Sequence, residues 1–180
     1  WRNVCVVKHA INRPASPDDS DLPIVIGEHA SAVRGFWFGR LGQTVRCVPW
    51  RRTMYAVIGS ETLYAKTYRG RARTAALEWH WLQMLPSLGI QSAQPVAWLA
   101  GQNASLIVTL GVKGRSLDAW LVDAAAEGWL GDVFGYACRE VAPFVRRLHD
   151  QGLIHRDLNC PHIFSTDPRS AGQLAVIDVE

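Results

Sequence analysis

The stretch His155-Arg156-Asp157-Leu158-Asn159-Cys160-Pro161-His162 constrains this 180-residue chain more than any other. Before it, Phe134 to Leu148 carries apolar residues at helical spacing. After it, Leu174-Ala175-Val176-Ile177 is a short apolar run that closes on Asp178. That order predicts a helix, a tight loop and a strand ending in a carboxylate.

Composition narrows the setting. At 48% hydrophobic and 19% charged, the chain has the make-up of one globular domain or two small lobes, not of a disordered segment. The formal charge of +3 is mild and comes largely from arginine, in Arg51-Arg52, the Arg69 to Arg73 cluster and Arg146-Arg147. Most of these read as solvated surface. Around Lys66 to Arg73, contact with phosphate or an acidic substrate competes with that reading, because a guanidinium grips phosphate with two hydrogen bonds. No nucleic-acid motif is present. Cys5, Cys47, Cys138 and Cys160 lack paired spacing, which argues for a reducing compartment and against a disulfide framework. No apolar run reaches transmembrane length. The chain begins at Trp1 and ends two residues after Asp178, so it reads as part of a longer protein.

The first 31 residues offer two short strand candidates, Val4 to Val7 and Leu22 to Ile26, around loop chemistry from Arg13 to Ser20. From Gly35 the pattern becomes strands and turns. Thr44–Val48, Thr53–Ile58 and Thr62–Tyr68 form an expected antiparallel meander, with turns at Pro49–Arg52 and Gly59-Ser60. A helix follows from Thr74 to Leu85, with Leu77, Trp81 and Leu85 as its apolar stripe and Glu78 beside it. Strands at Pro95–Leu99 and Ser105–Leu110 come next, then a helix from Ser116 to Ala126 with Ser116 as N-cap. A second helix, from about Val133 to Asp150, holds Ala137, Val141, Phe144, Val145 and Leu148 on one face. Pro143 should kink it, and Gly152 should close it.

Four polar residues then stand in a meaningful order: Lys66 on a strand, Glu78 on a helix, Asp157 in a loop and Asp178 at a strand end. A strand lysine can hold phosphate oxygens, and a helix glutamate can fix the floppy ammonium. A loop carboxylate can aim a hydroxyl and take its proton, and a second can bind magnesium through hard oxygen. Singly, each is unremarkable: a strand lysine is usually an edge charge, a helix glutamate usually surface. The order of all four carries the reading. His155-Arg156-Asp157-Leu158 resembles the opening of the catalytic loop of kinase-fold enzymes.

The segment from about Thr44 to Glu180 resembles the lipopolysaccharide core kinases, the heptose and Kdo kinases of the protein-kinase-like superfamily. The residues that carry it are His155-Arg156-Asp157, with His162 five residues after the aspartate, the ending Cys160-x-His162-Ile163-Phe164, Val176-Ile177-Asp178-Val179, and Lys66-Thr67-Tyr68-Arg69-Gly70. The turn Arg51-Arg52-Thr53 resembles that family's glycine-poor nucleotide loop. The resemblance implies ATP- and Mg²⁺-dependent phosphorylation of a sugar hydroxyl of the lipopolysaccharide inner core. The enzyme would be cytoplasmic, with possible peripheral contact at the inner membrane and no nucleic-acid partner. By position it implies that Asp157 and Lys66 are catalytic, that Lys66, Glu78, Arg51 and Arg52 bind nucleotide, and that Asp178 and His162 are metal ligands. His162 could instead hydrogen-bond within the loop. Asn159 and Pro161 depart from the family's loop, and no Gly-x-Gly-x-x-Gly precedes Lys66.

The expected fold is α+β and protein-kinase-like: a five-stranded antiparallel N-lobe with one helix, then a largely helical, truncated C-lobe. Residues 1–34 are assigned to an extension of unknown role, 35–111 to the N-lobe and 112–180 to the C-lobe. Three other readings compete. The chain could be a protein Ser/Thr kinase, or a pseudokinase that binds partners without transferring phosphate. His155, Cys160 and His162, with His149 nearby, could hold zinc. Against zinc, His155 reads as a brace for the loop backbone and Cys160 as a small buried hydrophobe.

Overall fold

The computed structural model describes residues 28–70 and 72–179. The two N-terminal strand candidates, the Arg13 to Ser20 loop and Cys5 lie outside these residues. The chain divides into two compact units. One comprises residues up to Trp79 with Gln94–Gly111; the other comprises His80–Ala93 with Val112–Glu180.

The first unit is built on an antiparallel five-stranded sheet: β1 (Gln43–Val48), β2 (Arg51–Ile58), β3 (Glu61–Arg69), β4 (Pro95–Ala100) and β5 (Ala104–Leu110), in the order β1-β2-β3-β5-β4. The hairpins follow the turn chemistry, and Gly59 at the β2–β3 turn adopts φ 62. Between β1 and β2 the register slips at Thr44/Arg46, and Val45 stands 59% exposed. That is a β-bulge, in which one extra residue goes unpaired.

A helix that the sequence reading missed covers one face of this sheet. α1 (Ala30–Trp37) buries Ala32, Val33 and Phe36 against Met54, Leu63, Ala65, Val96, Ala97, Leu99, Leu106 and Val108. The sheet therefore carries this helix in addition to the one expected, and a boundary after residue 34 runs through it. A short amphipathic segment beside loop chemistry gives little periodic signal, and packing decides its helicity.

The expected helix forms as α2 (Ala72–Met84), followed by a 3₁₀ turn at Leu85–Leu88. Its buried stripe differs from the one read from sequence. Ala75, Glu78, Leu82 and Leu85 are buried, whereas Leu77 is 47% exposed. The two candidate stripes are adjacent on the helix. The buried one is chosen by a charged residue, because Glu78 finds partners on β3.

In the second unit, β6 (Arg115–Ser116) leads into α3 (Leu117–Glu127). Ser116 occupies the N-cap position in an extended conformation, but its side chain makes no capping hydrogen bond. The predicted long helix is α4 (Leu130–Tyr136), a π-helical turn at Ala137–Val141, and α5 (Ala142–Asp150). The wide turn precedes Pro143 and absorbs the bond that proline cannot make. Gly152 follows at φ 74.

This unit is less purely helical than expected. β7 (Ile163–Ser165) and β8 (Leu174–Val176) join β6 in a small antiparallel sheet, ordered β6-β7-β8. Its core is Leu117, Tyr136, Val141 and Ile163, flanked by Trp120, Leu158 and Leu174. Tyr136 is almost wholly buried. It donates to the Gly172 carbonyl at 2.9 Å and accepts from the Ser165 hydroxyl at 2.8 Å. Burial raises its phenol pKa above the ordinary value, with the Ser165 hydrogen bond opposing in part.

Candidate active site

In the first unit, alternation along β3 sends Tyr64, Lys66 and Tyr68 to one face and Leu63 and Ala65 to the α1 core. The Lys66 ammonium pairs with Glu78 Oε1, and the Tyr68 hydroxyl donates to Glu78 Oε2 at 2.8 Å. The glutamate side chain is only 2% exposed and that of the lysine 13%. A buried carboxylate is costly unless its lone pairs are answered, and here both oxygens have donors. The result is an ammonium held at a fixed point on the sheet. Tyr68 was not singled out in the sequence. The signal was available, since two residues beyond Lys66 on a strand is the same face.

Register separates the two arginines of the expected phosphate turn. The turn itself is only Pro49-Trp50, and both arginines begin β2. Arg51 pairs with Tyr68 and so shares the Lys66 face. Arg52 pairs with Thr67 and faces the opposite side, where its Nε and Nη2 donate to Thr44 Oγ1 at 2.9 and 2.7 Å. Neighbours on a strand point to opposite faces, so Arg51 and Arg52 do not form one clamp, and Arg52 is withdrawn from the nucleotide set.

In the second unit the β7–β8 hairpin brings the loop and the strand-end acid together. Ile163 pairs with Val176, and the Ile177 amide donates to the His162 carbonyl at 3.1 Å, which sets His162 beside Asp178. His162 Nδ1 lies 2.6 Å from the Asp157 carbonyl, and its Nε2 lies 3.5 Å from Asp178 Oδ2. A carbonyl only accepts, so Nδ1 carries a proton, and Nε2 is the ring nitrogen turned toward the Asp178 carboxylate. Of the two sequence readings of His162, loop bracing is seen directly, through Nδ1.

Asp157 is 74% exposed, and Asn159 Nδ2 donates to its Oδ1 at 3.1 Å. Asn159, noted in the sequence only as a departure, thereby orients the exposed carboxylate. His155 braces the backbone as expected. Its Nε2 meets the Ile177 carbonyl at 2.9 Å, and its Nδ1 accepts from the Asp157 amide at 3.3 Å. Asp178 has φ 59, the only positive φ at a non-glycine among the described residues. Aspartate is one of the few side chains that tolerate this conformation.

The zinc alternative finds no support. Among the described residues no group of three or more His, Cys, Asp or Glu side chains is placed to hold a metal. Cys160 is also exposed, not the buried hydrophobe expected. Magnesium makes a different demand, since it is commonly held by one or two protein ligands together with substrate phosphates. Asp178 offers a hard carboxylate oxygen of the kind magnesium takes, and His162 Nε2, a poorer ligand for it, lies 3.5 Å from that oxygen.

A strand lysine fixed by a helix glutamate, followed by a helix, a His-Arg-Asp loop and a strand-end aspartate, defines the protein-kinase-like class. Comparison with known proteins makes the assignment specific. The lipopolysaccharide kinase (Kdo/WaaP) family model matches residues 26–180, and the chain belongs to that family of kinases. The match starts ahead of the Thr44 boundary read from sequence and takes in α1. Among solved structures, WaaP in complex with acyl carrier protein is similar at a TM-score of 0.64 and 25% identity, over 77% of this chain and 61% of that one. Rad53 1-466 in complex with AMP-PNP is similar in fold, at a TM-score of 0.54 and 16% identity, over 78% of this chain and 37% of that one. No curated protein matches the chain. Among the described residues no helix is long and apolar enough to cross a membrane.

Proposed function

We propose that the protein uses ATP and Mg²⁺ to phosphorylate a sugar hydroxyl of the lipopolysaccharide inner core, on heptose or Kdo. The observation that carries this reading is the buried Lys66–Glu78 pair with its Tyr68 brace, in a chain of the lipopolysaccharide kinase family. Lys66 holds phosphate oxygens of the nucleotide, and Glu78 keeps its ammonium in place. Arg51, on the same face of the sheet, supplies a second cation. Tyr55 and Tyr64 pair across β2 and β3 on that face with ring centroids 6.1 Å apart, which offers a stacking surface for the base.

Asp157 orients the acceptor hydroxyl and takes its proton, with Asn159 fixing the carboxylate. Asp178 and His162 Nε2 hold Mg²⁺, which when bound neutralises charge on the transferring phosphoryl group. The glycine-poor Pro49-Trp50 turn, leading into Arg51 on β2, replaces the flexible phosphate loop of other kinases with a tight hairpin. The acceptor is a glycolipid reached by peripheral contact with the inner membrane from the cytoplasmic side. An association with acyl carrier protein, the partner present in the WaaP structure, belongs to the same proposal.

The test is incubation with Mg²⁺-ATP and a heptose- or Kdo-containing core acceptor, with phosphate followed by mass. Asp157→Asn should lower transfer by roughly 10²–10⁴ while nucleotide binding persists. Lys66→Ala should remove the thermal shift that ATP produces. Nucleotide binding without transfer to either acceptor would refute the sugar-kinase reading.

A further inference from the structure

Arg52 and Arg69 are not used by the nucleotide reading, because alternation along β2 and β3 turns both to the Ala65 side of the sheet, away from Lys66. On that side, between the end of α1 and the strands, lies a cavity of about 390 Å³. Phe36, Trp37 and Met54 give it an apolar floor, and Thr67, Arg52 and Arg69 give it a polar, cationic rim. Arg51 borders it at the start of β2, and among the described residues no acidic side chain lines it. The floor is held in place from below. Gly42 has φ +102, and a Cβ there would come within 2.7 Å of the Phe36 ring.

The rim is preset for an anion. Arg52 faces Thr67 across the β2–β3 pair and Arg69 stands two residues further on, a diagonal of about 7 Å, so one phosphate can meet both guanidiniums. Thr44 engages two of the five N–H groups of Arg52, and this fixes the side chain while leaving donors for a ligand. Two guanidiniums, with no carboxylate among the described lining residues, repel a metal cation. A neutral apolar guest would strip them of water and offer no counter-charge in return.

We propose that this cavity is a second ligand site that takes an organic phosphate: a phosphomonoester carried on an apolar or ring-shaped body that covers Phe36 and Trp37. The phosphate can come from a free metabolite or from a lipid headgroup. The site lies within the first unit and does not depend on the proposed phosphoryl transfer.

Cys47, an exposed free thiol lining the cavity, serves as reporter. Its alkylation by iodoacetamide is followed by peptide mass spectrometry on the full chain, against phenyl phosphate and against phosphatidic acid vesicles, with phosphatidylcholine vesicles as control. Saturable protection is expected, about tenfold weaker in Arg69→Ala and about a hundredfold weaker in Arg52→Ala/Arg69→Ala, one charge-assisted contact for each arginine. Protection by phenyl phosphate assigns a free metabolite, and protection by phosphatidic acid vesicles alone assigns a headgroup. Three results would overturn the proposal: no protection by either probe, protection undiminished in Arg69→Ala, or the same protection produced by AMP-PNP. Arg69 is exposed, so its single variant decides the matter should the double variant fail to fold.

Discussion

Replacing Lys66 with Met tests the pair on which the nucleotide reading rests. The substitution keeps the length of the side chain and removes its charge, leaving the Glu78 carboxyl group at 2% exposure without its ammonium partner and with the Tyr68 hydroxyl as its donor. Breaking a buried ion pair by deleting one partner costs about 3–5 kcal/mol. The surviving Tyr68 hydrogen bond and the 13% exposure of Lys66 place this case at the lower end, about 3 kcal/mol. For a chain of this size that loss lowers Tm by roughly 6–12 °C. Adding Glu78→Met should recover most of it, because a buried pair exchanged for apolar side chains of similar volume is close to neutral. The assay is urea unfolding combined with hydrogen exchange of β3 and α2 amides, so that the loss is read in the elements that hold the pair. Lys113→Met, at an exposed position, is the control. A Lys66→Met cost within about 0.5 kcal/mol of that control would refute the reasoning, since such a value is typical of surface changes. Failure of the double variant to recover stability would refute it equally.

Four further outcomes are expected. Tyr68→Phe removes a donor from the buried carboxylate, which should cost about 1–3 kcal/mol and raise KM for ATP more than it lowers kcat; an unchanged KM would separate Tyr68 from the nucleotide. Phe36→Ala should cost about 3–5 kcal/mol in urea unfolding, because the ring is 1% exposed in the sheet core. Tyr136 has its pKa raised by burial above 10.0, so the folded state holds the phenol proton more tightly. Stability should therefore be full below that pH and fall as pH rises toward the folded-state value, and Tyr136→Phe should flatten the fall. Asp178→Asn should leave the melting curve nearly unchanged, since asparagine tolerates φ 59, while Mg²⁺-dependent transfer is lost.

Much of the meander was legible because its turns have strong local chemistry and its strands alternate. The hydrogen-bonded loop from His155 to His162 was legible because His155, Asp157 and His162 occur at set spacing within a helix-loop-strand context. The failures have a common physical cause, which is that burial is decided by partners remote in sequence. Leu77 looked like core by hydropathy, yet Glu78 took the buried position because Lys66 and Tyr68 await it on β3. α1 carries few residues and no strong cap, so only the sheet beneath it makes it a helix. β7 and β8 are three residues each, too short for a periodic pattern to register. Arg51 and Arg52 were grouped by adjacency, although the same alternation that identified the strand should have separated them.

The bulge at Val45 gives these strands an uneven tolerance to change. An extra residue there is shed outward and leaves the facing of β2 intact. One residue added inside β2, between Arg51 and Met54, would reverse the parity of everything before it: the cation meant for one ligand would be presented to the other. Two added residues would restore it. Insertions in this hairpin should therefore be sorted by whether they are odd or even, with length itself a secondary matter.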